Sequence, residues 1–213
     1  MIEVLVVDDH TIFRSGLRRL LADEADMRVV EEAGNAGDAM QALRRRRFDM
    51  VMLDINMKGR SGLEMLKLLR QDLPALPVLM VSMYPEEQFA KAALEAGANG
   101  YVTKDAEPGD LLAAIRNVAQ GGKWLSPEFV ARRRRASADF SAIDDSPPHF
   151  KLSARELQIL LAIVAGKSLT DIGAELFLSV KTVSTYRGRI LDKLGLESNP
   201  ELVRYAMQHS LLD

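Results

Sequence analysis

The chain of 213 residues contains no cysteine. That absence removes disulfides, thiolate nucleophiles and Cys-built zinc sites together, and it suits a reducing compartment. Histidine is scarce. His10, His149 and His209 are dispersed along the chain, so a His-built metal site is not expected. Long apolar runs are missing too, and none approaches the roughly 20 residues needed to span a bilayer. The opening MIEVLVVDDH sets two acids directly behind its first apolar run, which is not the pattern of a secretory leader. With 47% apolar and 27% charged residues, the composition has enough side-chain surface to bury and argues against global disorder.

A charge of one sign is also lacking, but the net −2 is unevenly spread. Residues 1–120 hold 15 Lys+Arg against 19 Asp+Glu, residues 121–150 hold 5 against 4, and residues 151–213 hold 8 against 7. The first part is acidic. A nucleic-acid reading of the last part must rest on where its charges sit rather than on their sum.

The first 120 residues alternate between two periods. Short apolar runs at 2–7, 28–33, 49–53, 77–81 and 100–102 read as strands, and helical patterns lie at about 12–23, 36–47, 61–71, 86–96 and 107–120. Strands apolar on both faces, each followed by a helix, predict an α/β doubly wound, five-stranded parallel sheet covered by helices on both sides. In such a sheet the ligand site lies outside the carboxyl ends of the strands. Residues 121–150 read as a linker with a short helix, capped by Ser126 with Pro127 at its first position and reaching about Arg135. Residues 136–150, rich in Ser, Asp, Ala and Pro, lack periodicity. Residues 151–213 are helical only. Ser153 and Glu156 form a capping box for a helix over 153–165, and further helices are expected at 168–176, 180–194 (capped by Ser179) and 200–209. Four helices with short connections make a compact all-α unit containing a helix-turn-helix.

The strand ends of the first part carry the chemistry. Asp8 and Asp9 follow the first strand, Asp54 ends the third, Ser82 follows the fourth and Lys104 the fifth. Adjacent parallel strands are about 4.8 Å apart, so three carboxylates converge and repel unless a cation neutralises them. Oxygen donors of this kind, with no Cys or His expected nearby, point to Mg²⁺ or a similar hard ion. A lone Asp at a strand end is usually loop solvation or a cap. The arrival of Asp-Asp, Asp, Ser and Lys on strands 1, 3, 4 and 5 is what favours a functional pocket.

Asp8-Asp9, Asp54, Ser82, Tyr101 and Lys104 together resemble the receiver domain of bacterial two-component response regulators, over about residues 1–120. The resemblance implies that Asp54 takes a phosphoryl group from a sensor histidine kinase. It also implies that Asp9 and Asp54 bind Mg²⁺ directly, Asp8 through water and Asn56 through its backbone carbonyl. Lys104 would pair with phosphoryl oxygens, and Ser82 and Tyr101 would be the switch pair. One departure stands out: receivers usually carry Pro four residues after the acceptor, where this chain has Lys58 followed by Gly59. An altered phosphoryl-group lifetime is expected. Equal decay rates for wild type and Lys58→Pro would refute it.

Residues 152–160 (LSARELQIL) and 168–194 resemble the LuxR-type output domain of the NarL/FixJ regulators, over about residues 150–210. The run Thr182-Val183-Ser184-Thr185-Tyr186-Arg187 looks most like the branch containing the BvgA and EvgA regulators. The third helix has an apolar face of Val180, Val183, Ile190, Leu191 and Leu194 and a polar face of Lys181, Ser184, Thr185, Gly188 and Arg189. Ser184, Thr185 and Arg189 suit base edges in a major groove, while Lys181, Thr182, Tyr186 and Arg187 suit phosphates or internal packing. In this family the fourth helix also pairs two DNA-binding domains, which makes Leu202, Tyr205 and Ala206 candidate dimer residues.

The four-arginine runs Arg44–Arg47 and Arg132–Arg135 read as solvated faces or ion-pair partners rather than nucleic-acid contacts. The resulting expectation is a cytoplasmic, phosphorylation-controlled transcription factor, not an enzyme, with domains at 1–120 and 151–213. Its expected partners are a histidine kinase, double-stranded DNA, a second copy of itself and RNA polymerase. Two other function classes are open. A Mg²⁺-dependent phosphatase of the haloacid-dehalogenase type requires a second Asp two residues after the nucleophile, where this chain has Asn56. A receiver-controlled protein-interaction module would show no salt-dependent DNA affinity.

Overall fold

The computed structural model describes residues 1–57, 61–131, 148–209 and 211. The readings that fall on Lys58 and Gly59, on Arg132–Arg135 and on residues 136–147 lie outside them. The chain divides into two compact units, Met1–Phe140 and Ser141–Asp213.

In the first unit strands and helices alternate: β1 (Ile2–Val7), α1 (Thr11–Ala22), β2 (Met27–Ala33), α2 (Ala36–Arg45), β3 (Met50–Asp54), α3 (Gly62–Asp72), β4 (Val78–Ser82), α4 (Glu86–Glu95), β5 (Gly100–Thr103) and α5 (Pro108–Ala119). All four strand pairings are parallel and the sheet order is β2-β1-β3-β4-β5. The expected doubly wound sheet is therefore present. Val4, Val6, Met50, Met52, Leu79 and Val81 pack with α1 and α5 residues such as Leu17, Leu21, Leu111 and Ile115 on one face. The alternate residues Leu5, Val7, Val51, Leu53 and Met80 are equally buried, which is why these strands show no polar face. Helix starts follow local chemistry. The Asn35 side chain accepts from the Asp38 backbone N–H, and Ser61 and Glu64 close a capping box at α3.

Residues 121–131 stay with this unit. Trp124 bridges to Gly100 in parallel with β5, and a helical segment begins at residue 127. The Ser126 side chain caps it by accepting from Phe129 N–H at 3.1 Å, the role expected for that serine.

The second unit opens with a short 3₁₀ turn, Pro148–Lys151, followed by α6 (Ala154–Val164), α7 (Leu169–Leu176), α8 (Val180–Leu194) and α9 (Asn199–Gln208). The Ser153–Glu156 capping box and the Ser179 cap form as expected, and Gly195 ends α8 in the left-handed region. Leu157, Leu160, Ile172, Val183, Ile190 and Leu202 form the core. Among the described residues no helix is long and apolar enough to cross a membrane.

Candidate phosphoacceptor pocket and DNA-facing helix

The sheet order explains the pocket. β1 has β2 on one side and β3 on the other, so the winding reverses there and leaves a crevice at the carboxyl ends of β1 and β3. Val7 pairs with Leu53, which puts Asp8 and Asp54 side by side one step on. Asp54 pairs with Val81 and Ser82 with Thr103, bringing Ser82 and Lys104 to the same rim. Asp8, Asp54 and Ser82 are all buried. Gly62, the first residue of α3, approaches so closely that a β-carbon there would sit 1.9 Å from the Asp54 carbonyl oxygen. No other residue fits behind Asp54.

Lys104 Nζ lies 2.7 Å from Asp8 Oδ2 and 3.0 Å from Asp54 Oδ2, and it also sits over the Phe13 ring. The Asn56 backbone N–H donates to Asp54 Oδ1 at 3.2 Å. Burial first, and the charge of Asp8 second, push the Asp54 carboxyl up to about 6 against the pull of Lys104. Ser82 Oγ accepts from the Tyr84 N–H at 3.2 Å, while the fully buried Tyr101 donates its hydroxyl proton to the Tyr84 carbonyl at 2.7 Å. Burial holds the Tyr101 phenol well above its ordinary value.

One expectation needs correcting. The pocket does have a histidine beside it: His10 Nδ1 is 3.1 Å from Asp8, 3.0 Å from Asp9 and 3.8 Å from Asp54. The backbone N–H of His10 donates to Asp8 Oδ1 at 2.7 Å, so the turn after β1 folds the ring back over the carboxylates. Its place directly after Asp8-Asp9 was the available signal.

The donor set fits a hard divalent ion. Asp8, Asp9, His10 and Asp54 offer ligand atoms within 4.8 Å of one another, and they form the one such group among the described residues. Three carboxylates face a single ammonium, so with a neutral imidazole a residual negative charge remains for a cation to satisfy.

In the second unit α8 presents Lys181, Ser184, Thr185 and Arg189 to solvent, with Thr182, Tyr186, Arg187 and Gly188 half-buried. Val183, Ile190, Leu191 and Leu194 are buried as expected, but Val180 is 46% exposed because the first turn projects beyond the core. Arg187 Nε donates to Asn199 Oδ1 at 2.5 Å, a tie between α8 and α9, and the Arg189 guanidinium lies 5.8 Å from the centre of the Tyr186 ring. On α9, Leu202, Tyr205 and Ala206 are all buried. They pack into the unit's own core, on the inward side of α9. The apolar residues facing out are Met207 and, partly, Val203. Of the arginine runs, Arg45 and Arg46 pair with Glu31 and Glu3.

Residues 4–116 match the family described as response regulator receiver domain, and residues 151–206 match the bacterial regulatory proteins of the luxR family. The chain belongs to the two-component response regulators with a LuxR-type output domain. It is 38% identical over 213 residues to the response regulator GacA of Pseudomonas viridiflava, covering 100% of this chain and 99% of that protein. It is 35% identical to UvrY of Escherichia coli K12, covering 99% and 96%. Among solved structures it resembles that of the response regulator RcsB in complex with DNA, with a TM-score of 0.59 and 26% identity over 97% of this chain and 98% of that one. As a member of this NarL/FixJ-type family, the chain joins a receiver to a LuxR-type DNA-binding domain.

Proposed function

We propose that Asp54 accepts a phosphoryl group from a sensor histidine kinase and that this event controls DNA binding by the second unit. The observation that carries the reading is the register that sets buried Asp54 beside Asp8 and under Lys104. In the transfer an Asp54 oxygen forms the new O–P bond as the kinase histidine's N–P bond breaks and the imidazole departs with its electron pair. Asp8, Asp9 and Asp54, with the Asn56 carbonyl, would hold Mg²⁺, which when bound neutralises charge gathering on the phosphoryl oxygens. Lys104, already 3.0 Å from Asp54, swings from carboxylate to phosphoryl oxygen with little motion.

Phosphorylation brings roughly two negative charges and three strong acceptors. Ser82, at the same rim, carries a hydroxyl that can turn towards them, and turning gives up the Tyr84 N–H. The Tyr84 carbonyl is in turn bound by Tyr101, so the change at Ser82 reaches the head of α4 and the strand β5.

For the output unit, Ser184, Thr185 and Arg189 are the candidate base-edge readers. Lys181 and Thr182 would contact phosphates, with Tyr186 and Arg187 orienting the helix. The DNA-bound RcsB structure supports a DNA role for this unit. The active form would be a cytoplasmic homodimer that reads paired half-sites and contacts RNA polymerase, with Met207 and Val203 in place of the buried α9 residues. Selecting genomic DNA fragments with phosphorylated wild type and with Asp54→Ala tests the whole reading. The wild type is expected to enrich specific sites that the variant retains weakly; identical sites at identical affinity would refute control through Asp54.

A further inference from the structure

The segment after α5 is built onto β5 and the first turn of α4 at two points. Trp124 donates its N–H to the Asn99 carbonyl at 2.9 Å and accepts from the Tyr101 N–H at 3.1 Å, so it adds a short edge to β5 at the switch tyrosine itself. Gly100 allows this approach, since a β-carbon there would lie 2.9 Å from both the Trp124 β-carbon and its carbonyl oxygen. The Trp124 side chain packs against the core beneath α1 and α5. The second point is Glu86, the first residue of α4. Its side chain is buried and its Oε1 accepts from the Ser126 N–H at 2.9 Å. Ser126 is also the residue whose hydroxyl caps the helical segment from residue 127.

These contacts form one connected path. Ser82 binds Tyr84, Tyr84 is bound by Tyr101, Tyr101 pairs with Trp124, and Glu86, two residues after Tyr84, holds Ser126. The last links lie on the only covalent route from the receiver to the output unit. A buried carboxylate is expensive to hold there, and its hydrogen bonds go to Ser126 while α4 has no side-chain cap of its own.

We infer that residues 122–131 are an output strap, and that Glu86 is the positioning residue coupling the head of α4 to it. This rests on the reading of Asp54 as phosphoacceptor. When Ser82 turns away from Tyr84, α4 shifts its first turn, the Glu86–Ser126 bond breaks or re-forms, and the chain towards the output unit changes its hold on the receiver. The strap is thus the two-state element that the phosphoryl group biases.

The test uses the full chain. Amide hydrogen exchange over residues 122–131 is measured with and without beryllofluoride plus Mg²⁺, and Asp54 labelling by acetyl phosphate is followed in parallel. In the wild type, exchange across the strap should change about tenfold on adding beryllofluoride, the effect of one charged hydrogen bond. Glu86→Ala should show altered strap exchange already without beryllofluoride and no further response. Its Asp54 labelling should be normal and its phosphorylation-dependent gain in DNA affinity lost. Glu86→Asp, which keeps the charge but falls short of Ser126, should behave like Glu86→Ala. Glu86→Gln, which keeps the acceptor oxygen, should behave like wild type. A wild type that labels at Asp54 without any change in strap exchange overturns the inference alone, as does an unchanged response in Glu86→Asp. A wild type that does not label at Asp54 overturns the receiver reading beneath it.

Discussion

In the first unit three carboxylates and one ammonium crowd a pocket at the carboxyl ends of β1 and β3, whereas among the described residues of the second the buried polar groups come as matched donors and acceptors. There Arg155 donates to the Gln158 side chain and the Leu176 carbonyl. Glu156 accepts from Lys193 at 2.7 Å while closing its capping box, and His149 shares a hydrogen bond with the Tyr205 hydroxyl at 3.0 Å. The contrast separates a site from a scaffold. Like charges forced together are unfavourable until a cation neutralises them, so the first unit is poised to respond. The satisfied network of the second ties α8 to the rest of the unit, so its exposed face is held in one pose.

The largest effect is expected from removing the pocket's ammonium, Lys104. Lys104→Ala leaves Asp8, Asp9 and Asp54 facing one another and should destabilise the first unit by about 3–5 kcal/mol in chelator. Denaturant unfolding read from Trp124 should show this, with much of the loss recovered in millimolar Mg²⁺. An equal loss with and without Mg²⁺ would mean that the lysine is only a packing residue.

Acidity should move the two units in opposite directions. Asp54 is held at about 6, above its ordinary 3.8, so between those values the folded state binds more protons than the unfolded chain. Its contribution to the first unit is therefore full below about pH 4 and is lost as pH rises through 6. His149 is pushed down to about 4 from 6.5 by burial first and by His209 second, so there the unfolded chain binds more protons. The second unit should lose stability as pH falls from 6.5 towards 4. Hydrogen exchange of full-length protein in chelator between pH 4 and 8, corrected for intrinsic rates, resolves both. Parallel trends in the two units would contradict the assignment. Asp54→Asn should flatten the first trend, with a gain of about 1–3 kcal/mol at pH 7.5 from relief of desolvation and repulsion.

Within the second unit, Arg189→Ala should cost about 1–3 kcal/mol of discrimination between sites if the side chain reads a guanine edge. A uniform loss on all sequences, measured by competition binding at fixed salt, would make it a phosphate contact. The smallest effect is expected at Gly188, where an added β-carbon meets nothing within 4 Å. Gly188→Ala should stabilise α8 by about 0.5–1 kcal/mol without changing the pocket.

The fold was legible because period and punctuation agree: strands apolar on both faces, a capping serine three residues ahead of Glu156, and glycine ending α8. The pocket was legible because strand ends of a doubly wound sheet must converge, which placed Asp8, Asp54, Ser82 and Lys104 before any coordinates. His10 escaped because nothing in strand alternation says which way the residue after a strand's last acid will fold. Leu202, Tyr205 and Ala206 lie on the side of α9 that closes the core, and in sequence an apolar helix side looks the same whether it closes a core or meets a partner. The Trp124 edge and the Glu86–Ser126 clamp depend on contacts between residues 23 to 40 positions apart and leave no periodic trace.

The central claim is that the crowded pocket is a phosphoacceptor and that Asp54 is its nucleophile. The most direct measurement is intact-protein mass and peptide mapping after incubation with acetyl phosphate and Mg²⁺. One phosphoryl group per chain, lost in Asp54→Ala and stable in Asp9→Ala only at a much lower level, is the predicted result. Undiminished labelling of Asp54→Ala, or labelling that maps to another residue, would contradict it.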